Sequence, residues 1–188
     1  VKVLLLDNYD SFTFNIAHIL SSMPLDLRVH RNDEILVDQV SEFDRIIFSP
    51  GPGLPGEAGI MREVLEKYAD KIPIMGICLG FQAIVERFGG KLHNLGVVKH
   101  GTAEKIDIVQ HDLFSGINRP MEVGLYHSWA VRASEVGTYL DVLATSGNLV
   151  MAAIHRELNI FGVQFHPESV MTPNGKELIM NWLNYKHK

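Results

Sequence analysis

The stretch that decides the fold is Ile72-Pro73-Ile74-Met75-Gly76-Ile77-Cys78-Leu79-Gly80. An apolar run, read as a strand over 72–77, leads straight into a helix over 79–88, and the chain's only cysteine stands at the junction. Glycine two residues before and two after that cysteine is the pattern of a nucleophile elbow. The strand turns so sharply into the helix that the middle residue is held in a strained, exposed position, and bulk at either flank would clash. The amides of the helix start face that position and favour negative charge there. A lone cysteine is more often a packing residue, but packing does not account for two flanking glycines at a strand–helix junction. Cys78 is therefore read as a nucleophile.

Working outward, the first half alternates strands and helices. Residues 3–6 form an unbroken apolar run, as in a strand buried on both faces. Ser11 is expected to cap a helix running to about residue 22, with Phe14, Ala17, His18 and Ile19 on or near one stripe. Further strands are expected over 25–30 and 45–48, with a short helical stretch over 35–40 between them. A helix over 59–69 should turn Met61, Val64, Leu65 and Tyr68 inward. This repetition implies an α/β fold with a doubly wound, mostly parallel central sheet flanked by helices.

After Gly89-Gly90 short strand-like pieces dominate, over 95–98, 103–109, 121–125, 141–145, 149–155 and 160–165. They imply a smaller, antiparallel, strand-rich portion. Ser146-Gly147-Asn148 reads as a hairpin turn. A closing helix over 175–185 carries Leu178, Ile179, Trp182 and Leu183 at helical spacing. No repeat, low-complexity tract or long linker interrupts the 188 residues, so the expectation is a single domain over 1–188.

Composition narrows the class. Seventeen basic against 22 acidic residues give a net charge of −5, with no basic block, which argues against nucleic acid or an anionic membrane as partner. One cysteine rules out an intramolecular disulfide and fits a reducing compartment. The opening Val1-Lys2-Val3-Leu4-Leu5-Leu6-Asp7 is too short and too soon acidic for a signal peptide, and no apolar run approaches the ~20 residues of a membrane span. A cytoplasmic protein is expected.

A cysteine nucleophile needs a base, and the base an orienting group. Of nine histidines, His166 in Gln164-Phe165-His166-Pro167-Glu168-Ser169 stands out. Proline biases His166 toward extended geometry, and extended residues two apart point to the same side. Glu168 can then hold one imidazole nitrogen and leave the other to move a proton. An isolated His-x-Glu is usually a loop histidine beside a solvated carboxylate; the elbow is what raises this one to a triad. The order Cys, His, Glu differs from that of the α/β-hydrolases, whose acid precedes the histidine.

The segment Ser49-Pro50-Gly51-Pro52-Gly53-Leu54-Pro55-Gly56 matches a dinucleotide fingerprint literally. It follows the third strand rather than the first, and Pro52 and Pro55 remove amides that should face a pyrophosphate. A rigid loop offering a few amides suits an oxyanion hole, with Gly53 N–H paired to the amide of Leu79; a plain surface turn is the alternative. With no second cysteine, no His-Glu-x-x-His and scattered histidines, neither a metal site nor a cofactor is expected. His127 reads as a strand-end or packing residue.

Together these segments resemble the class I, triad-type glutamine amidotransferases, and among them the small glutaminase subunit of anthranilate synthase and aminodeoxychorismate synthase. The resemblance spans nearly the whole chain. The elbow and the segment from Gly162 to Ser169 identify the superfamily. Leu6-Asp7-Asn8-Tyr9-Asp10-Ser11-Phe12-Thr13 and Tyr126-His127-Ser128 narrow it to the chorismate-using branch. The resemblance implies hydrolysis of L-glutamine to glutamate and ammonia, with the ammonia passed to a separate chorismate-binding synthase subunit. It implies Cys78 as nucleophile, His166 as base and acid, Glu168 as orienting carboxylate, and Gly53 and Leu79 as oxyanion donors. Gln82, Ser128 and Trp129 fall where the family holds glutamine, beside the loop Gly51, Pro52, Gly53. Two residues depart from the family's habit: Phe81 stands where many relatives have histidine, and Trp129 where leucine is usual. The rival readings are a thiol hydrolase of esterase or peptidase type and a non-catalytic regulatory relative, the latter opposed by the three occupied triad positions.

Overall fold

The computed structural model describes residues 1–186. Its framework is one nine-stranded sheet in the order β2-β1-β3-β4-β9-β8-β7-β5-β6. The strands are β1 (Lys2–Asp7), β2 (Asp26–Arg31), β3 (Arg45–Phe48), β4 (Ile74–Ile77), β5 (Leu92–Ile108), β6 (Met121–Val131), β7 (Leu140–Ser146), β8 (Leu149–His155) and β9 (Ile160–Val163). The helices are α1 (Thr13–Ser21), α2 (Met61–Tyr68), α3 (Leu79–Arg87) and α4 (Gly175–Asn184). The first five strands in the spatial order run parallel to one another, and from β9 outward each neighbour is antiparallel. The expected parallel and antiparallel portions are thus two wings of one sheet. The strand β9, which falls among the late strand-like pieces of the sequence, lies parallel beside β4.

Strand periodicity divides the core. Val3 and Leu5 of β1 join one apolar cluster with Ile16 and Leu20 of α1 and Leu178, Ile179 and Trp182 of α4. Leu4 and Leu6 face the other way, against a cluster holding Met61, Val64, Leu65 and Tyr68 of α2 and Phe81 and Ile84 of α3. Both faces of the parallel wing are therefore covered, which is why residues 3–6 of β1, 46–48 of β3 and the whole of β4 and β9 are apolar rather than alternating. The stripe expected for α2 is the one buried. That expected for α1 is buried only in part: Thr13, Ile16 and Leu20 face inward, Ala17 and Ile19 are half-buried against the same cluster, and Phe14 and His18 point to solvent. Ser11 does not cap this helix. The Asp10 side chain accepts from Phe12 N, and the Asp7 carboxylate accepts from Tyr9 N and Thr13 Oγ1, so local carboxylates fix the entry and the helix begins later.

The pieces expected over 95–98 and 103–109 belong to one long β5, whose register against β6 shifts between Asn94 and Lys99 and again between His100 and Thr102. Those irregularities break the sequence period without ending the pairing. The hairpin is as expected, with Gly147 at φ 56° between β7 and β8. Among the described residues no helix is long and apolar enough to cross a membrane.

In-register pairing sets Leu6, Phe48, Gly76 and Gly162 side by side on β1, β3, β4 and β9. The segments that follow these four strands consequently emerge at one edge of the sheet, the carboxyl edge where open parallel sheets place their ligands. They begin at Asn8, Ser49, Cys78 and Gln164.

The last of these segments is clamped from outside by α4. A β-carbon on Gly175 would fall 1.7 Å from the carbonyl oxygen of Pro167. Gly175→Ala should therefore destabilise the fold by about 3 kcal/mol and lower Tm by about 6–10 °C. Gly56→Ala, where the added carbon would find only the end of Arg62 at 3.4 Å, should change stability by less than about 0.5 kcal/mol. Thermal and urea unfolding of the two variants measures both.

Candidate active site

Cys78 sits at φ 51°, ψ −99°, immediately before α3. A left-handed conformation costs a non-glycine residue about 1–3 kcal/mol and persists only where its surroundings over-determine it. Here the backbone is held on both sides: Cys78 N donates to Val163 O of β9 at 2.8 Å, and Cys78 O accepts from Gln82 N of α3 at 3.0 Å. The flanking glycines leave no space. A β-carbon on Gly76 would lie 2.4 Å from Gly80 C, and one on Gly80 would lie 2.6 Å from Phe48 Cβ. The first turn of α3 folds back onto β4 and against β3 at backbone contact. Gly162, paired with Gly76, allows the same approach, since its β-carbon would meet Phe81 Cδ2 at 2.7 Å. Phe81 is fully buried in that contact, so its departure from the family's habit is absorbed by the core between α3 and β9.

His166 follows β9 and is fixed through its backbone. His166 N donates to Gly124 O of β6 at 3.1 Å; its carbonyl accepts from Thr172 Oγ1 at 2.7 Å, and that hydroxyl accepts from Gly124 N at 2.9 Å. Thr172 thus ties the histidine segment to β6, a role with no signal in the sequence. The ring lies edge-on to Phe12 and Tyr126, with centroids 5.5 and 4.9 Å away. His166 Nδ1 meets Glu168 Oε1 at 2.6 Å, with the pair almost wholly buried. The nitrogen donates and the carboxylate accepts, which leaves Nε2 buried and without a hydrogen bond of ordinary geometry. Burial opposes charge on His166, but the Cys78 sulfur and then the Glu168 carboxylate outweigh it and raise the imidazole to about 10.

Of the residues expected to hold substrate, Gly51 is pinned. A β-carbon there would lie 2.7 Å from Asn8 Cβ and 2.8 Å from Leu79 Cδ2, which sets the loop after β3 against the first residue of α3. Asn8 braces this loop from below, donating through its backbone to Ser49 Oγ and through Nδ2 to Ser49 O, and accepting from Asn32 Nδ2. Pro52 and Gly53 are exposed on the outer part of the loop, with Gly53 at φ 73°. Gln82 is buried, with Nε2 3.1 Å from Trp129 O and 3.2 Å from Gln164 Oε1. Ser128 and Trp129 lie half-buried in β6. Trp129 reaches Gln82 through its backbone carbonyl, a contact indifferent to the side chain at that position.

Two residues to which the sequence assigned no role in the site belong to this cluster. Gln164 is completely buried, and its Nε2 lies 3.6 Å from Cys78 Sγ. A signal for it exists, because it stands two residues before His166 in the segment that also carries Glu168. His127, expected as a strand-end or packing residue, lies inside β6, nearly fully buried as the second of those readings has it, with Nδ1 2.9 Å from Trp129 O. Burial lowers it to about 4, helped by the Lys99 and His166 charges and opposed by the Trp129 carbonyl and Glu104. One histidine of the cluster is thereby held neutral beside another that is held charged.

The chain matches the class-I glutamine amidotransferases over residues 4–185 and belongs to that family. It is a glutamine amidotransferase. It is 40% identical to anthranilate synthase component 2 of Pseudomonas aeruginosa, over 96% of this chain and 94% of that one. It is 40% identical to aminodeoxychorismate/anthranilate synthase component 2 of Bacillus subtilis, over 99% and 97% of the two chains. To aminodeoxychorismate synthase component 2 of Escherichia coli it is 38% identical, over 97% and 99%. The fold is shared with a solved glutamine amidotransferase from Thermotoga maritima, at TM-score 0.78 and 15% identity over 97% of this chain and 96% of that one.

The lowered His127 has a consequence for stability. The unfolded chain takes up that proton near pH 6.5 and the folded one only near 4. Its neutral form therefore contributes fully above pH 6.5, and the contribution is lost as pH falls toward 4. Wild type should lose about 2–3 kcal/mol more than His127→Gln between pH 7 and pH 4.5. Urea denaturation of both proteins at the two pH values gives that difference directly.

Proposed function

We propose that this chain is the glutaminase subunit of a chorismate-using synthase, and that Cys78, His166 and Glu168 carry the hydrolysis. The observation that supports the triad most directly is the convergence of a strained cysteine and a buried histidine–carboxylate pair at one sheet edge. The raised His166 favours an imidazolium beside the sulfur, the ionic form in which a cysteine attacks. The thiolate adds to the side-chain amide carbon of glutamine, and the developing oxyanion accepts from the amides of Leu79 and Gly53. His166 then protonates the departing nitrogen, which leaves as ammonia, and a glutamyl thioester remains. The same imidazole removes a proton from water as the water attacks the thioester; the C–S bond breaks and glutamate is released. Gln82, Ser128 and Trp129 border the substrate, with the loop from Gly51 through Pro52 to Gly53 opposite.

The partner reading rests on the relatives, which carry the names of second components of anthranilate and aminodeoxychorismate synthases. A first component would bind chorismate and take the ammonia, giving anthranilate or 4-amino-4-deoxychorismate. The 188 residues then act as a single amidotransferase domain. The lone thiol and the absence of a basic block fit a cytoplasmic setting and a protein partner.

The roles within the triad separate under mutation. His166→Ala should abolish glutamine hydrolysis, because the histidine moves the protons. Glu168→Gln should keep a remnant at least about tenfold higher, because the carboxylate orients and stabilises the ring. Steady-state release of glutamate distinguishes the two, and equal residual rates would reverse the assignment.

Ammonia delivery is tested in the complex reconstituted with a chorismate-using synthase. Cys78→Ser should eliminate product formation from chorismate and glutamine. It should spare formation from chorismate and a high concentration of ammonium salt at alkaline pH, where free ammonia bypasses the thiol. Loss of both activities in an assembled complex would refute the division of labour.

A further inference from the structure

A completely buried side-chain amide must satisfy its N–H groups within the protein or bear the cost of their desolvation. Gln164 is such a residue, with no exposed surface. Which end of an amide carries nitrogen is settled by its partners, and here one partner allows no ambiguity. The Trp129 backbone carbonyl can only accept. It takes His127 Nδ1–H at 2.9 Å and Gln82 Nε2–H at 3.1 Å, which uses both its lone pairs and fixes the nitrogen of Gln82. The second hydrogen of Gln82 Nε2 points to Gln164 at 3.2 Å, so the Gln164 atom there is the oxygen. The other end of Gln164 is then nitrogen, and it lies 3.6 Å from Cys78 Sγ. Polarity runs in one direction from β6 through α3 to the sulfur.

We propose that the Gln164 amide is an obligate hydrogen-bond donor to the Cys78 sulfur, its polarity imposed by the Trp129 carbonyl through Gln82. Gln164 and His166, two residues apart on the bent segment after β9, approach the same atom. His166 exchanges protons with the sulfur. Gln164 has no proton to give up at these pH values, so it stabilises charge on sulfur without quenching it. The bond is strongest whenever sulfur is anionic, as it becomes when the thioester C–S bond breaks and the electron pair returns to sulfur. It weakens while sulfur is acylated. Hydrogen bonds to charged groups exceed neutral ones by about a factor of two, so the interaction favours thiolate departure in the second half of the cycle.

The inference rests on Cys78 as the nucleophile, but its test is independent of glutamine chemistry. The probe is iodoacetamide, whose reaction with the single thiol reports the thiolate population across pH. Gln164→Met keeps the bulk and removes the donor; Gln164→Glu keeps the shape and turns an acceptor toward the sulfur. In folded protein, Gln164→Met should be alkylated about fivefold more slowly than wild type near pH 6.5, with Gln164→Glu slower still. All three rates should converge in strong alkali, where the thiol is ionised regardless. Rates that match wild type at every pH, or that fall by one factor at every pH, would overturn the proposal, the second pattern marking a packing role. If neither variant folds, wild type labelled with 15N on glutamine side chains replaces them. The Gln164 Nε2–H resonance should titrate with the thiol, and that titration should vanish in Cys78→Ala. An insensitive resonance would overturn the proposal equally. A wild type that follows the expected alkylation profile but does not hydrolyse glutamine would instead count against the functional reading.

Discussion

The structure depends on a turn with no room in it. Between β4 and α3 the chain reverses through one residue in a left-handed conformation, and the helix returns against its own strand at backbone contact. Only glycine can occupy positions 76 and 80 under that constraint, and the neighbouring strand needs glycine at 162 to accept the helix. The strain at Cys78 is offset by its neighbours, above all the bond from Cys78 N to Val163 O. That bond continues the β4–β9 ladder by one residue, and the pairing brings the segment carrying Gln164, His166 and Glu168 to the thiol. Placement of the thiol and assembly of the sheet are one event.

Around this turn the protein arranges charge in a site nearly closed to water. His166 is raised because a sulfur and a carboxylate flank it, despite burial that works the other way. His127 is lowered because burial dominates and its main partner is a carbonyl dipole rather than an anion. The two rings share a neighbourhood and are both opposed by burial; they differ in charge because anionic partners outweigh burial at one and not at the other. The Trp129 carbonyl acts on both: it fixes the His127 tautomer, and it orients the amide chain that ends on the sulfur.

Legibility in the sequence follows the range of the interaction. The α2 stripe of Met61, Val64, Leu65 and Tyr68 is readable because one helical period serves one buried face. The α1 stripe misleads because Asp7, from the preceding strand, and Asp10 take over the helix entry. The two strand pieces before and after Gly101 look separate because bulges disturb the period, whereas pairing with β6 carries one strand through. Phe81 and Trp129 stand out as departures from a family habit. Packing answers for the first, since Phe81 lies in the core. A backbone contact answers for the second.

What the sequence determined by itself was local. Two glycines around a cysteine dictate an elbow, and His-Pro-Glu brings imidazole and carboxylate together over two residues, although the chain does so through a turn closed by Ser169 N on His166 O rather than through the extended geometry expected. Only the tertiary structure decided what the sulfur touches. Gln164 and Cys78 are 86 residues apart, and no periodicity encodes a contact at that range. It arises because β9 inserts next to β4, a pairing set by the mutual fit of Gly76, Gly162 and the helix packed over them, and that fit exists only once the sheet has formed.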